Sequence, residues 1–285
     1  MSLPAVVILA HAYPQHLHRL IAALQPLPVF LHVDAATPEA VLAAMLDDLP
    51  ETVRLLPRQK TGWASYGLAE AEVSGYRAAL AQTNADHVVL CTGSDYPLAS
   101  ADQIVATLEG YAGLSWAEID ALPIKDWGPL RGYDRFLWRN RVRERRRAWS
   151  PIPRPWPKGL RPAGGSQLKI LARHHAERLL GVIDERPDLV SYFHEVWIPD
   201  ETLVPSLLSS PFSGIDVSRE LVDGPSAWFI DWGSKPSSSP RWLGTDDLPA
   251  LAAARRRSTP ALFARKFDES ATEVLDAIDA ELRVS

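Results

Sequence analysis

Two adjacent cations near the end of the chain have side chains well suited to hold an anion. Arg265 and Lys266 stand inside the apolar and aromatic segment Leu262–Asp268. Because such cations are almost never buried without a partner, apolar residues on both sides indicate a packed surface with a fixed anion. An arginine fork beside a lysine point charge suits a phosphate or diphosphate. The alternative is a strand or turn whose two charges face water.

The composition limits the classes of protein in which such a site occurs. A net charge of -5 and a pI near 5.9 argue against general nucleic-acid binding. The 285 residues, 46% of them hydrophobic, suffice for one large domain or two small ones. The single cysteine, Cys91, excludes an intrachain disulfide and fits a reducing cytoplasm. Core packing is the first expectation for most of the ten tryptophans, although exposed indoles also stack on sugars.

Strands and helices alternate in the first half of the chain. The apolar runs Ala5–Ala10, Val29–Val33 and His87–Thr92 are typical of parallel strands buried on both faces. Their alternation with helices predicts an α/β fold, with a mostly parallel or mixed sheet flanked by helices. The other predicted elements are helices at 14–24, 38–46, 68–80, 101–108, 173–185, 199–208 and 272–282, and strands at 53–56, 114–119 and 167–171.

Polar or small residues follow each of the three long strands directly. His11 and Asp34 come after the first two strands, and Gly93-Ser94-Asp95 comes after the third. Ligands of open α/β sheets bind outside the carboxyl ends of the strands, so these residues predict one shared crevice. The alternative for His11 and Asp34 is local capping or turn formation.

An excursion at 131–165 is rich in arginine and proline. Arg139–Arg147 holds six arginines in nine residues against one acid, Glu144. Charge runs are usually a solvated helix face, which is the default interpretation. Two functional alternatives are peripheral contact with anionic lipid head groups and binding of an acidic or pyrophosphate-linked acceptor. Five prolines between residues 151 and 162 predict a loop.

Motifs along nearly the whole chain resemble those of one enzyme family in their order and relative spacing. The chain is similar to the core-2/I-branching β-1,6-N-acetylglucosaminyltransferase family, which includes the peptide O-xylosyltransferases. The motifs are Ile8–His11, Phe30–Asp34, Trp63–Ser65, Leu90–Leu98, Gly165–Gln167, Pro199–Thr202 and Phe263–Phe267.

This resemblance implies a GT-A-type, Rossmann-like fold and an inverting sugar transfer from a UDP-sugar, with N-acetylglucosamine or xylose as the expected sugar. We expect one domain over 1–285, with a nucleotide-binding half at 1–112 and an acceptor and catalytic half at 113–285. The expected acceptor is a glycan or a lipid-linked saccharide. The chain has neither the cysteine framework nor the N-terminal membrane anchor of the animal relatives. We therefore expect a bacterial-type enzyme of the cytoplasm, or one peripheral to the inner face of the membrane.

The resemblance also implies catalysis without a metal cofactor. Related enzymes often hold a divalent metal with an Asp-x-Asp motif, but the corresponding place here reads Gly93-Ser94-Asp95, and the chain contains no Asp-x-Asp. The resembled family is largely metal-independent. Something else must then stabilise the negative charge that develops on the β-phosphate of departing UDP. The resemblance assigns that role to Arg265 and Lys266, or to the lysine alone.

The other roles are carried over by position. Glu201 corresponds to the general base, and its neighbour Asp200 is the competing candidate and an expected acceptor contact. Trp232 matches an acceptor-contacting aromatic, with a packed core tryptophan as the alternative. The expected nucleotide-sugar contacts are His11, Asp34, Trp63, Gly93, Ser94, Asp95 and Tyr96. The alternative function is a non-catalytic relative that binds a nucleotide or glycan on the same fold.

Overall fold

The computed structural model describes residues 2–143, 146–234, 237 and 239–284. The strands are β1 Ala5–Ala10, β2 Val29–Val33, β3 Val53–Leu55, β4 His87–Thr92, β5 Asp95–Pro97, β6 Asp120–Ala121, β7 Asn140–Arg143, β8 Arg146–Trp149, β9 Ala163–Gly164, β10 Lys169–Ala172, β11 Trp228–Ile230 and β12 Phe263–Arg265. The helices are α1 Pro14–Leu24, α2 Glu39–Leu46, α3 Tyr66–Gln82, α4 Ala101–Glu109, α5 Tyr133–Leu137, α6 Arg173–Glu185, α7 Pro187–Phe193, α8 Leu203–Ser209, α9 Leu248–Arg255 and α10 Thr272–Glu281, and short 3-10 turns lie at Pro199–Glu201, Pro211–Ser213 and Thr245–Asp247.

A five-stranded sheet with the order β10-β4-β1-β2-β3 forms the centre of the structure. β1 pairs in parallel with both neighbours, so that Ile8 lies opposite Leu31 on β2 and Cys91 on β4. β3 continues the parallel pairing at one edge, and β10 runs antiparallel to β4 at the other. The predicted α/β fold, with a mainly parallel sheet flanked by helices, is therefore confirmed.

The apolar strands form this sheet because both of its faces are covered. Alternate residues of β1 enter two separate hydrophobic cores, one containing Val6 and Ile8 and the other containing Val7 and Leu9. Burial of each such side chain contributes about 1.5–3 kcal/mol relative to exposure in water, as an upper estimate. A strand buried in this way has no polar face, which explains its continuous apolar sequence.

A second sheet brings the C-terminal cation pair to the central one. It has three strands in the order β11-β12-β5, and β12 pairs in parallel with β11 and antiparallel with β5. In this register Arg265 lies opposite Asp95, which is separated from the end of β4 by only two residues. The N–H of Phe267 also donates to the carbonyl of Ser94 at 2.9 Å. The end of the chain is thereby attached to the carboxyl end of β4.

The second half of the chain departs from the sequence predictions in several places. Residues 114–119 form no continuous strand, but only isolated bridges at Ser115 and Trp116. The helix predicted over 199–208 is a 3-10 turn followed by the separate helix α8. Helices α5, α7 and α9 and the second sheet were not predicted from the sequence.

The arginine-rich segment is a β-hairpin, so its interpretation as a solvated helix face is wrong. β7 and β8 pair antiparallel with Asn140 opposite Trp149. Two features of the segment favour strands: arginines alternate with Val142, and tryptophans stand at the two ends of the hairpin. The rings of these tryptophans, Trp138 and Trp149, lie 4.7 Å apart. Glu144 and Arg145 of this segment, and the side chain of Arg143, lie outside the described part of the chain. Within that part, none of the helices has both the length and the apolarity needed to cross a bilayer.

A buried ion pair connects helix α3 to strand β10. The Lys169 ammonium donates to the Glu72 carboxylate at 2.8 Å, and both side chains are 1% exposed. The Tyr76 hydroxyl donates to the same carboxylate oxygen at 2.9 Å. Burial raises the pKa of Glu72, and the charge of Lys169 acts against this rise. Each charge therefore depends on the other for its stability in the core.

We predict that Lys169→Met lowers the free energy of unfolding by about 3–5 kcal/mol, because it leaves the Glu72 carboxylate buried without its counter-charge. The double variant Lys169→Met/Glu72→Gln should recover most of this loss, since it removes both charges. Urea unfolding followed by circular dichroism measures the difference. A single variant within about 1 kcal/mol of the parent protein would show that the pair contributes little.

Candidate active site

Three neighbouring strands of the central sheet end side by side, and the predicted residues follow them. The N–H of Asp34 donates to the Ala10 carbonyl and the N–H of Gly93 to the Leu9 carbonyl, both at 2.9 Å. A Cβ on Gly93 would lie 3.0 Å from the Cβ of Ala10, so the absence of a side chain permits this close approach. The structure thus brings His11, Asp34 and Gly93 to one edge of the sheet, called the carboxyl edge below.

Asp34 fixes the loop that borders this edge. Its Oδ1 accepts from the N–H of Ala36 at 2.6 Å, and its Oδ2 accepts from both the N–H and the hydroxyl of Thr61. Burial alone would raise the pKa of Asp34, but the hydrogen bonds from Thr61 and Ala36 outweigh it and lower the pKa. The Asp34 carboxylate is therefore ionised and holds residues 59–61 in place, next to the exposed Trp63.

Asp95 is a fully buried carboxylate with four donors. Its Oδ1 accepts from the Thr92 hydroxyl and the Arg265 guanidinium, each at 2.8 Å. Its Oδ2 accepts from the N–H of Thr92 at 2.9 Å and from the indole N–H of Trp228 at 3.2 Å. The Asp95 side chain is 0% exposed, and that of Arg265 is 22% exposed. Asp95 therefore holds Arg265 at the carboxyl edge and does not itself form an open surface there.

The charge of Lys266 is balanced differently from that of Arg265. The carboxylate of Asp95 offsets the Arg265 guanidinium, whereas Lys266 Nζ donates to the neutral Ser239 hydroxyl at 2.6 Å. The ammonium also lies 4.2 Å from the centre of the Trp242 ring. Burial lowers the pKa of Lys266, and the nearby charge of Arg265 lowers it further. An anion at this position would relieve both effects.

Tyr96 does not face the carboxyl edge, which corrects its predicted place beside the donor sugar. Its side chain is 1% exposed, and its hydroxyl donates to the Asp279 carboxylate of α10 at 2.9 Å. The Arg19 and Arg283 guanidinium groups donate to the same hydroxyl. Successive side chains of a strand point to opposite faces, so Tyr96 points away from the side on which Asp95 meets Arg265.

Glu201 reaches the carboxyl edge from the other side of β4. It ends the turn Pro199–Glu201, and its carbonyl accepts from the N–H of Gly165 at 3.0 Å. Gly165 precedes β10, whose first residue Lys169 pairs with Leu90 near the end of β4. Because β10 runs antiparallel to β4, the chain before Lys169 lies at the edge where β4 ends.

One packing contact positions the Glu201 backbone, and one ion pair fixes its carboxylate. A Cβ on Gly165 would lie 1.8 Å from the Glu118 carbonyl oxygen, so only glycine lets the chain pass between residues 118 and 201. The Arg135 guanidinium donates to Oε2 of Glu201 at 2.6 Å and lies 3.3 Å from the centre of the Trp127 ring. Within the described part of the chain, no hydrogen bond reaches Oε1 of Glu201. The side chain remains 32% exposed, so this oxygen is available to a proton donor.

Asp200 is placed beneath Glu201 and not on the surface. It is 7% exposed, and among the described residues its Oδ1 has no hydrogen-bond partner. Burial raises the pKa of Asp200 to about 7, and the negative charge of Glu201 adds to the shift. This burial contradicts the predicted role of Asp200 as an acceptor contact, because its carboxyl group does not face solvent.

The remaining predicted residues are exposed, apart from Ser94. His11 lies in the turn after β1, and Trp232 in the loop after β11 is 50% exposed. The alternative that Trp232 is a core residue is therefore wrong. Ser94 is half-buried and is attached to Phe267 through its carbonyl.

Two groups of aromatic residues at the site were not predicted from the sequence. Tyr13 packs edge-to-face against Trp242 at 5.8 Å, beside Lys266. Tyr13 follows His11 by two residues, so the rule that singled out His11 also points to it. The second group, called the Arg/Trp cluster below, had no local signal because Arg135 is separated from Glu201 by 66 positions. It consists of Trp127, Arg135, Arg147 and Trp197, in which Arg147 lies 3.8 Å from the centre of the Trp197 ring.

Comparisons with solved structures give distant likenesses. HddC from Yersinia pseudotuberculosis has 13% sequence identity and a TM-score of 0.30, over 61% of this chain and 79% of that one. A putative glucose-1-phosphate thymidylyltransferase from Bacillus anthracis, in complex with a sucrose, has 9% identity and a TM-score of 0.29, over 62% and 74% of the two chains. None of the curated proteins matches significantly.

A comparison with family models gives a match over most of the chain. The family described as Core-2/I-Branching enzyme matches residues 19–252. This range includes Asp34, Gly93 and Asp95 at the carboxyl edge, and Glu201 on the other side of β4. The resemblance found in the sequence motifs is thereby confirmed. The chain belongs to the Core-2/I-Branching enzyme family, and this membership indicates a glycosyltransferase.

Proposed function

We propose that the protein is an inverting glycosyltransferase that moves a sugar from a UDP-sugar to a hydroxyl acceptor without a metal ion. N-acetylglucosamine and xylose are the proposed sugars. The observation that carries the proposal is the presence of opposite charges at one edge of the sheet. Arg265 and Lys266 supply cations for a diphosphate, and Glu201 supplies a carboxylate for a proton.

Glu201 is the proposed general base. Oε1 of Glu201 takes the proton of the acceptor hydroxyl while the acceptor oxygen attacks the anomeric carbon of the donor sugar. The bond between that carbon and the UDP oxygen breaks on the opposite side, which inverts the configuration. Arg135 holds Oε2 and thereby fixes the carboxylate in one orientation.

The cation pair stabilises the leaving group. The electrons of the broken bond remain on the β-phosphate of UDP, where Lys266 Nζ and the Arg265 guanidinium meet the developing charge. Since Asp95 already balances Arg265, Lys266 supplies the larger net positive charge. His11, Asp34 and Trp63 border the same edge and are the proposed contacts of the nucleotide.

A glycan or lipid-linked saccharide is the proposed acceptor. The Arg/Trp cluster lies next to Glu201, which its member Arg135 contacts. Indoles suit the faces of sugars, and guanidinium groups suit their hydroxyls. Trp232 remains a proposed acceptor contact. Contact between the arginine hairpin and a membrane remains a prediction. Two of its arginines are engaged within the protein, Arg139 with Glu195 and Arg147 with Asp134.

Turnover with UDP-sugars tests the proposal directly. We expect UDP release from at least one member of a panel of UDP-sugars in the presence of an acceptor hydroxyl, unchanged by EDTA. Loss of turnover in EDTA with recovery in Mn²⁺ would contradict the metal-free mechanism. Thermal stabilisation by UDP without turnover on any donor would favour the non-catalytic binder.

Lys266→Ala should lower kcat about 100–1000-fold, because it removes a cation from the departing diphosphate. Lys266→Arg keeps the charge and should lose less. Steady-state UDP release measures both, and Lys158→Ala, at an exposed lysine outside the candidate site, is the matched control. A Lys266→Ala enzyme within about threefold of the parent kcat would contradict the role, provided that its melting temperature is unchanged. Arg265 is the less informative position, since its removal leaves Asp95 buried and unpaired.

Glu201→Gln should lower kcat about 100–10,000-fold, since the amide cannot take a proton. Asp200→Asn is the matched control. Burial raises the pKa of Asp200 to about 7, so at about pH 6 this residue is mostly protonated, and asparagine resembles the protonated acid. We therefore expect Asp200→Asn to match the parent rate at that pH. If Asp200→Asn lost activity and Glu201→Gln kept it, the general base would be Asp200.

A further inference from the structure

His174, His175 and Glu220 form a group, called the His/Glu cluster below, at the end of the sheet opposite the carboxyl edge. Both histidines lie in the first turn of α6, which begins directly after β10. The last residue of β10 pairs with His87, the first residue of β4. The six residues of β4 span about 17 Å, so the His/Glu cluster is well separated from the candidate active site.

Both imidazole rings approach the same carboxylate oxygen. Nε2 of His174 lies 3.3 Å from Oε2 of Glu220, and Nε2 of His175 lies 3.1 Å from it. The two ring centres are 3.9 Å apart. Adjacent residues on a helix do not normally face one another, so this convergence is not a consequence of helical geometry.

We propose that the His/Glu cluster binds a divalent transition-metal ion such as Zn²⁺. One nitrogen from each histidine and one carboxylate oxygen lie within 4.8 Å of one another. Ligands about 2.0–2.1 Å from a tetrahedral Zn²⁺ lie roughly 3.3 Å apart, and the two N···O distances of 3.3 and 3.1 Å are close to this value. Two imidazoles and a carboxylate are a ligand set that zinc prefers.

The less exposed ligands are already oriented by neighbouring groups. Ser115 is fully buried, and its hydroxyl oxygen lies 2.6 Å from Nδ1 of His175. The same oxygen accepts a hydrogen bond from the N–H of Ala172 at 2.8 Å. With a metal on Nε2, the Nδ1–H of His175 donates to this hydroxyl, as metal-bound histidines usually do to a second partner. Oε1 of Glu220 accepts from the N–H of Asp216 at 2.7 Å, which leaves Oε2 for the ion.

His174 is the third ligand, and the charges around the site also affect a bound cation. The His174 side chain is 51% exposed, so it can adjust its ring and leave a fourth position open to water. The positive end of the α6 dipole opposes a cation here, and the Glu220 carboxylate offsets that effect. The bound ion would join α6 to the segment 216–222 far from the reacting sugar. This inference does not depend on the proposed function.

Zn²⁺ titration of the EDTA-treated, dialysed full-length protein tests the inference. We expect one Zn²⁺ per chain by isothermal titration calorimetry, together with a rise in melting temperature. His174→Ala and Glu220→Gln should each weaken this affinity at least about tenfold. His18→Ala is the matched control, because among the described residues the His18 ring bonds only the Ala44 carbonyl, at 2.9 Å, on a different part of the surface.

Two outcomes would overturn the inference. One is the absence of saturable Zn²⁺ binding, which would leave the His/Glu cluster as a hydrogen-bonded contact between α6 and Glu220. The other is binding that His174→Ala and Glu220→Gln leave unchanged while both variants retain the parent melting temperature in EDTA. Because His174 is half-exposed, its alanine variant is expected to fold.

Discussion

The ion pair between Asp95 and Arg265 joins the two sheets at the edge where the central strands end. Asp95 is fully buried, and burial of an unpaired carboxylate costs several kcal/mol. Thr92 contributes its N–H and its hydroxyl from the end of β4, and Trp228 contributes its indole N–H from β11. The charge on Asp95 therefore requires that β4, β11 and β12 meet, and this requirement fixes the place of Lys266, the next residue along the chain.

A second set of charges positions the other half of the site. The buried pair of Glu72 and Lys169 holds α3 against β10, and the turn that carries Glu201 lies next to this pair. Protonated Asp200 adds no negative charge beneath Glu201, whereas its ionised form repels Glu201. The exposed carboxylate at the carboxyl edge is thus the one paired with Arg135, and the acid below it remains neutral at acidic pH.

The sequence predicted those parts of the structure that depend on local patterns. β1, β2 and β4 were found because strands buried on both faces are continuously apolar, and the rule for their carboxyl ends then located His11, Asp34 and Gly93. The orientation of Tyr96 could not be predicted, because β5 has three residues and its register with β12 is a long-range property. The burial of Asp200 and the contact between Arg135 and Glu201 also depend on tertiary structure. The sequence around a charged residue does not show whether that residue is buried or which distant residue it pairs with.

The two cations of the C-terminal pair are not equivalent, and the difference suits a leaving group whose charge grows during the reaction. Arg265 is held rigidly by Asp95, so its position is set before any ligand arrives. Lys266 lies in surroundings that disfavour its own charge, since burial and Arg265 both lower its pKa. An entering diphosphate relieves this repulsion, and each increment of negative charge on the β-phosphate relieves it further. In the proposed reaction the interaction would be stronger with the departing UDP than with the intact UDP-sugar, which is the condition under which binding accelerates a reaction.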